Sequence, residues 1–392
     1  MSILILLTVI SPYTTIIPAL YMTYMVLFKK VSIYKNHWNL GLCLLFIWSL
    51  IVGIINNSFS SIAASFVIFM YLCISIFIQN YCENENRVEK IYRYLVYFSL
   101  FSAIAGIIEK TVYTYFYFSI WQKIFQISSK PVVDYRIYST FGNPNVAGDW
   151  FAIMILVGIY FSSITHKTTK LFYEISTLFF VIALCLTGSR GAFMGLLFGL
   201  FIFYLLKGNK KNMWLIIAVF IITAIVAYVL SQILKDVTDH NLDVSRIEIW
   251  IGCFKMIKLK PFTGWGLMGI TEHGAQFIKG YYPTLYHGHN ILITFMTTLG
   301  AVGLSIYIYM KINLFRNLKL LYAKNCRLVP MLAGIQAVII GHGLVDFTMM
   351  APQAGLSFIA CSAIISVLAK QYDNSSLNFL NDIKSQKLTK FS

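Results

Sequence analysis

The sequence predicts an all-α fold, a polytopic membrane helical bundle, and three observations predict it. Hydrophobic residues make up 58% of the chain and charged residues 12%, with a mean hydropathy of +0.72, whereas soluble domains hold about 45–50% apolar and about 25% charged residues. Charge-poor apolar runs divide the 392 residues into about eleven segments, each near the ~20 residues that span a bilayer. Most of the 31 basic residues collect in alternate links between those runs, a pattern that sets orientation. The net charge of +16 is therefore read as a topology signal, with no nucleic acid as partner.

The runs fall near 4–28, 38–55, 61–79, 91–109, 146–164, 171–187, 190–206, 213–232, 290–310, 328–345 and 349–369. The first has no basic leader and no small-residue cleavage site, so it reads as one retained span that Pro12 bends. Twenty-eight residues are too few for two full crossings. Links after odd-numbered spans carry Lys29, Lys30 and Lys35; Arg87, Lys90 and Arg93; Lys167 and Lys170; Lys207, Lys210 and Lys211; and Lys311 through Arg327. These links are expected in the cytoplasm. The two long loops, 110–145 and 233–288, then face outward and carry short helices, among them an aromatic interfacial segment at 111–126. The chain reads as a single transmembrane domain over 1–370 with a cytoplasmic polar tail at 371–392. Its seven cysteines are scattered without a CxxC pair, so neither a disulfide framework nor a thiolate metal site is expected.

Against this apolar background a few polar groups stand out, and parity puts Arg136, Arg190, Arg246 and His289 on one face. Arg190 lies in Thr187-Gly188-Ser189-Arg190-Gly191, the only break between two apolar runs, which predicts a tight antiparallel hairpin with the arginine at its outer tip; the plain alternative is a side chain snorkelling to the headgroups. Ser245-Arg246-Ile247-Glu248 has capping-box spacing, and Ile247, Trp250, Ile251, Phe254 and Ile257 recur at helical intervals. That predicts an amphipathic surface helix, ended by Pro261 and the Gly264-Trp265-Gly266 turn, with Arg246 in its first turn, where helix N–H groups favour anions. His287 and His289 sit where the external loop meets the ninth span. A neutral imidazole suits His289 to take a proton from an attacking hydroxyl, while two histidines with no third ligand at a recognisable spacing are a weak metal signal. His342 and Asp346 form an i, i+4 pair at the outer end of the tenth span. Asp149 and Glu174 are weaker candidates, more readily explained by helix–helix hydrogen bonds.

These residues resemble the O-antigen ligase and polymerase family of bacterial membrane glycosyltransferases. His289-Asn290, then nine residues, then Gly300-Ala301-Val302-Gly303 is the strongest match, and Ser189-Arg190-Gly191, Arg246 with Trp250, Pro261 through Gly266, and Phe141-Gly142-Asn143-Pro144-Asn145 follow the family's order. The resemblance covers about 136–305, and Thr298 stands where many relatives carry an acidic residue. It implies a GT-C-like bundle, a polyprenyl (undecaprenyl) pyrophosphate-linked oligosaccharide as donor, and metal-independent, cofactor-free transfer with inversion. Arg190 and Arg246 would hold the pyrophosphate and His289 would act as base. Arg136, Asn143, Asn145, Ser189, Trp250, Trp265, His287, Asn290, His342 and Asp346 would line the substrates.

It further implies a multi-pass protein of the bacterial cytoplasmic (inner) membrane whose site faces the periplasm or cell exterior. Its partners would be membrane lipids, an acceptor glycan or glycolipid, and a chain-length regulator or flippase. The modest external loop and the lack of a large soluble domain lean toward an O-antigen or capsule-type polymerase over a ligase acting on lipid A-core. The alternative from another class is a lipid-linked glycan flippase or secondary transporter with His342 and Asp346 as a proton relay.

Overall fold

A computed structural model describes residues 1–29, 31–115, 136–219, 221–222 and 246–388, and every regular element among them is helical. In chain order the helices are α1 (Ser2–Ile10), α2 (Ile16–Phe28), α3 (His37–Ile55), α4 (Phe59–Tyr81), α5 (Glu85–Tyr115), α6 (Pro144–Ile164), α7 (Lys167–Thr187), α8 (Arg190–Leu206), α9 (Arg246–Leu259), α10 (Gly269–His273), α11 (Ile291–Ala323), α12 (Val329–Gly343) and α13 (Pro352–Leu388). Seven of them, α3 to α7, α11 and α13, are long and apolar enough to cross a membrane, and α2, α8 and α12 are shorter apolar helices. The expected eighth span, 213–232, and the interfacial segment 111–126 fall largely outside the described residues, as does Ser245.

The single bent span expected at 4–28 is instead two helices. Pro12 lacks an N–H and its ring blocks the preceding turn, and Ser11 is extended at φ −163°, ψ 151°. The carbonyls freed by the break are answered locally: Thr14 Oγ1 donates to Leu7 O at 2.6 Å and Thr15 Oγ1 to Thr8 O at 3.2 Å. With those partners a broken helix is tolerable in apolar surroundings.

The α7–α8 turn is as tight as expected, with Gly188 left-handed at φ 59° and the Ser189 hydroxyl capping α8. The two helices nevertheless diverge, because each packs on α6. Gly148 of α6 lets Ser189 and Ala192 approach, and Gly158 lets Thr177 approach. On its other flank α8 lies against α12, where a Cβ at Gly195 would sit 2.7 Å from Val338 O and one at Gly199 2.9 Å from Gly334 O. Gly191, Gly195 and Gly199 repeat every fourth residue, the small-residue stripe that brings two membrane helices into backbone contact.

One long helix is broken by a loop from outside the bundle. Gly300 of α11 adopts φ 65°, ψ −168°, and the carbonyls of Thr297, Thr298 and Leu299 accept from Trp265 N (3.0 Å), Gly266 N (2.8 Å) and Trp48 Nε1 (2.8 Å). Ala301 N in turn donates to Pro261 O at 2.8 Å. A side chain at Gly300 would strike Phe262 O at 2.2 Å. The Pro261–Gly266 and Gly300–Gly303 motifs are thus two halves of one structural joint. Thr298 is buried there, its hydroxyl returned to Thr294 O at 2.7 Å.

Links expected to be cytoplasmic gather at one end: Arg327 reaches Glu85 (2.8 Å) and Glu89 (3.2 Å), Ser32 N bonds Asn80, and Lys207 Nζ reaches Ser163. Glu174 also lies at this end, half exposed and paired with Lys170 at 3.6 Å. The residues singled out for chemistry meet at the opposite end.

Candidate active site

A buried carboxylate organises that opposite end. Helix α12 stops at Gly343, and its last turn tapers through Val345 N and Asp346 N, both bonded to His342 O. Asp346 is thereby held 4% exposed. Two helix starts aim at it. Asn143 caps α6 with Pro144 in its first turn, which projects Asn145 so that its Nδ2 donates to Asp346 Oδ2 at 2.6 Å. Asn290 caps α11 and ties its own Nδ2 to Leu344 O at 2.8 Å. The preceding residue, His289, takes a left-handed backbone at φ 47°, a conformation costing on the order of 1 kcal/mol for a non-glycine, and puts Nδ1 at 2.9 Å from Asp346 Oδ1.

Trp250 steadies this segment by donating Nε1 to Gly288 O at 2.9 Å. Burial works against ionisation of Asp346, but the His289 hydrogen bond and the surrounding imidazoles of His289, His287 and His342 outweigh it and hold the carboxyl well below its ordinary range. An ionised carboxylate only accepts, so Nδ1 of His289 donates this bond, and in the neutral tautomer that makes the bond the lone pair lies on Nε2.

Two arginines flank the carboxylate, and a third, Arg190, lies within electrostatic reach of Arg136. Arg136 donates Nε to Thr187 O at 2.6 Å and Nη2 to Asn145 Oδ1 at 2.7 Å, so Asn145 bridges a guanidinium to Asp346. Arg246 begins α9 with its Nη2 4.0 Å from Asp346 Oδ2 and its side chain 43% exposed. Arg190 begins α8 and is exposed. Desolvation first, then the positive charges of Arg190 and Arg246, lower the pKa of Arg136. Helices α6, α8, α9 and α11 all start around this cluster, so four positive dipole ends add to three guanidinium groups. That much positive potential around one carboxylate favours an anionic ligand.

His287 completes the rim. Burial and the neighbouring His289 push its pKa down to about 4, and its Nδ1 accepts from His289 N at 3.2 Å. The ligand atoms of His287, His289 and Asp346 lie within 4.8 Å of one another, close enough for a metal ion. Asp346 is the third ligand that sequence spacing did not supply. Nδ1 of His287 is already accepting a hydrogen bond, and Arg246 faces the same carboxylate, so the donor set fits a hydrogen-bonded charge cluster better than a cation site.

Other expected substrate residues sit elsewhere in the architecture. Trp265 contacts none of these groups and is packed instead on His273 and Phe277, in the cap formed by residues 246–288, with its Nε1 bonded to Met256 O at 2.9 Å. Ser189 and Asn143 act as helix caps. His342 is 1% exposed and faces Asp149, with Nδ1 3.2 Å from Asp149 Oδ1. The side chains of His342 and Asp346 therefore have different close partners, Asp149 for the first and His289 with Asn145 for the second. An apolar cavity of about 230 Å³ shares Phe347 with the site but contains none of its charged groups.

Residues 175–308 match the family model described as O-Antigen ligase. This supports an O-antigen ligase/polymerase-like family and a role of that type in surface-polysaccharide assembly by an integral membrane protein. Comparison with curated proteins finds no match. The matched stretch contains Arg190, Arg246 and His289. Arg136, Asn145, Asp149, His342 and Asp346, which complete the cluster, lie outside it.

Proposed function

We propose that the protein transfers a glycan from a polyprenyl-pyrophosphate carrier to an acceptor sugar hydroxyl at the outer face of a bacterial cytoplasmic membrane. The observation that carries this reading is the meeting of three arginines and four helix starts beside a His–Asp pair. In the reaction the acceptor oxygen attacks the anomeric carbon opposite the pyrophosphate, and the carbon–oxygen bond to the pyrophosphate breaks. The hydroxyl proton passes to Nε2 of His289, while Asp346 steadies the resulting imidazolium through Nδ1. Arg190, Arg246 and Arg136 take up charge on the leaving pyrophosphate. Attack from the far side inverts the anomeric centre, and the guanidinium groups supply the stabilisation that a divalent metal gives elsewhere. The family resemblance supplies the carrier, and the positive cluster supplies a place for its phosphates.

The acceptor is read as the growing repeat-unit glycan, making the protein a polymerase, with a chain-length regulator or flippase as working partners. A glycan profile of cells lacking the protein tests this. Loss of long chains with one repeat still attached to its final acceptor supports polymerase, and loss of all attached glycan supports ligase. The transfer itself is tested with purified protein, lipid-linked oligosaccharide and the variants Arg190→Ala, Arg246→Ala and His289→Ala. Normal polymer from all three variants would remove the proposal, and movement of substrate across liposomes without glycosidic bonds would replace it with a transporter.

A further inference from the structure

Beneath the exposed cluster lies a second polar layer that the proposed reaction does not use. Asp149 is 2% exposed and His342 1% exposed. Asp149 Oδ1 stands 3.2 Å from His342 Nδ1, and Asp149 Oδ2 accepts from Thr348 Oγ1 at 3.0 Å. Asn145 and Asp149 are one helical turn apart on α6, and His342 and Asp346 are one turn apart at the end of α12. The contacts therefore form two rungs, Asn145 to Asp346 above and Asp149 to His342 below. Asp149 also grips both flanks of the segment whose apex is Asp346, through His342 before it and Thr348 after it.

We infer that Asp149, together with His342 and Thr348, is a positioning device that fixes the Asp346 carboxylate under His289 and so sets the rate of transfer without touching substrate. This rests on the catalytic reading of His289 and Asp346 given above. Three features support it. The lower rung is sealed: a Cβ at Gly191 would lie 2.8 Å from Cδ2 of His342, so the residue after Arg190 closes over the imidazole. Asp149 Oδ1 and both ring nitrogens of His342 make no well-aligned hydrogen bond among the described residues, so the pair is held by charge and packing. Finally, apolar residues of similar volume are often as stable as a buried charge pair, so stability alone does not account for two incompletely bonded polar groups inside an apolar bundle.

The inference is tested by steady-state kinetics of the purified full-length protein in lipid nanodiscs, using a polyprenyl-pyrophosphate oligosaccharide as donor, with thermal unfolding recorded for each variant. Asp149→Asn and Thr348→Val are expected to lower kcat, since displacing a catalytic group by ~1 Å costs on the order of 100-fold. The donor KM should stay within about twofold, because the arginines that bind pyrophosphate are untouched. Thr348→Ser, which keeps the hydroxyl, should restore kcat. Wild-type kcat in folded Asp149→Asn or Thr348→Val would overturn the inference, as would a Thr348→Ser variant as impaired as Thr348→Val. If Asp149→Asn does not fold, the Thr348 pair decides; loss of the fold in Thr348→Val as well would leave a purely structural role and overturn the inference. Full transfer by Asp346→Asn would instead remove the catalytic reading itself, so the two failures are distinguishable.

Discussion

Replacing Asp346 by asparagine is the sharpest probe of the proposed chemistry. The carboxylate accepts from His289 Nδ1 at 2.9 Å, from Asn145 Nδ2 at 2.6 Å and from Phe347 N at 2.8 Å. An amide has one oxygen to offer, so it cannot serve His289 and Asn145 from separate atoms, and each charge-assisted bond lost is worth about 1.5–3 kcal/mol. More damaging is the tautomer. The amide N–H can face Nδ1 of His289, which moves the ring proton to Nε2 and removes the base. In Ser-His-Asp enzymes the same exchange lowers turnover by roughly 10⁴, which is about 5.4 kcal/mol on the barrier. Binding of pyrophosphate should persist, since Arg190 and Arg246 keep their places. The assay is product formation by purified protein in nanodiscs, with donor KM measured alongside kcat. A folded D346N protein that turns over within about tenfold of wild type would refute the His–Asp reasoning.

Other outcomes follow from the same geometry. Arg246→Lys should raise donor KM and lower kcat together, because a point charge replaces a planar fork that can grip two phosphate oxygens; unchanged constants would remove Arg246 from the phosphate site. Treatment with EDTA should leave transfer intact, and activity that returns only on adding a divalent cation would turn His287, His289 and Asp346 into a metal site. His287 falls from 6.5 to about 4 on folding, so the folded protein holds its proton less tightly than the unfolded chain. Its contribution is complete above pH ~6.5 and lost as pH falls toward ~4, by at most about 3 kcal/mol. Asp346 is likewise shifted down, and its share is lost only as pH falls below the unfolded carboxylate value of ~4. Thermal midpoints should therefore drop between pH 7 and pH 5, and His287→Asn should flatten that drop. Gly195→Leu should abolish accumulation of folded protein, because its Cβ meets the backbone oxygen of Val338 at 2.7 Å, and overpacking of this kind costs about 1–3 kcal/mol or more; normal expression would contradict the α8–α12 packing.

Most of the bundle could be read from the residues because apolar runs of this length have few other homes. What the runs do not encode is how neighbours pair. Pro12 is compatible with a bend or a full break, and the hydroxyls of Thr14 and Thr15 settle it only once the chain has folded back on their acceptors. A short α7–α8 link likewise says nothing about whether α6 intervenes, although Gly148 and Gly158 recorded the close approach. The arginines and His289 were legible because an isolated charge is conspicuous in such a chain. Trp265 is ambiguous in the sequence because an aromatic ring between glycines suits either a sugar platform or a packed joint. The companion of His289 lies 57 residues away, beyond any local spacing rule. The i, i+4 intervals of Asn145 with Asp149 and of His342 with Asp346 are present in the sequence, but spacing within each helix does not say that the two pairs face each other.

The joint at Gly300 divides the molecule mechanically. Pro261–Gly266 cannot lift away from α11 without stranding the oxygens of Thr297 and Thr298 in an oily environment, so the cap and the outer third of that helix travel as one piece. His289, Trp250 and Arg246 ride on this piece, whereas Asp346, Asn145, Arg136 and Arg190 belong to α6, α8, α12 and the segments that flank them. In the proposed reaction the proton acceptor and its orienting carboxylate thus come from opposite banks of a seam, and a motion that widened it for a bulky sugar chain would also uncouple them.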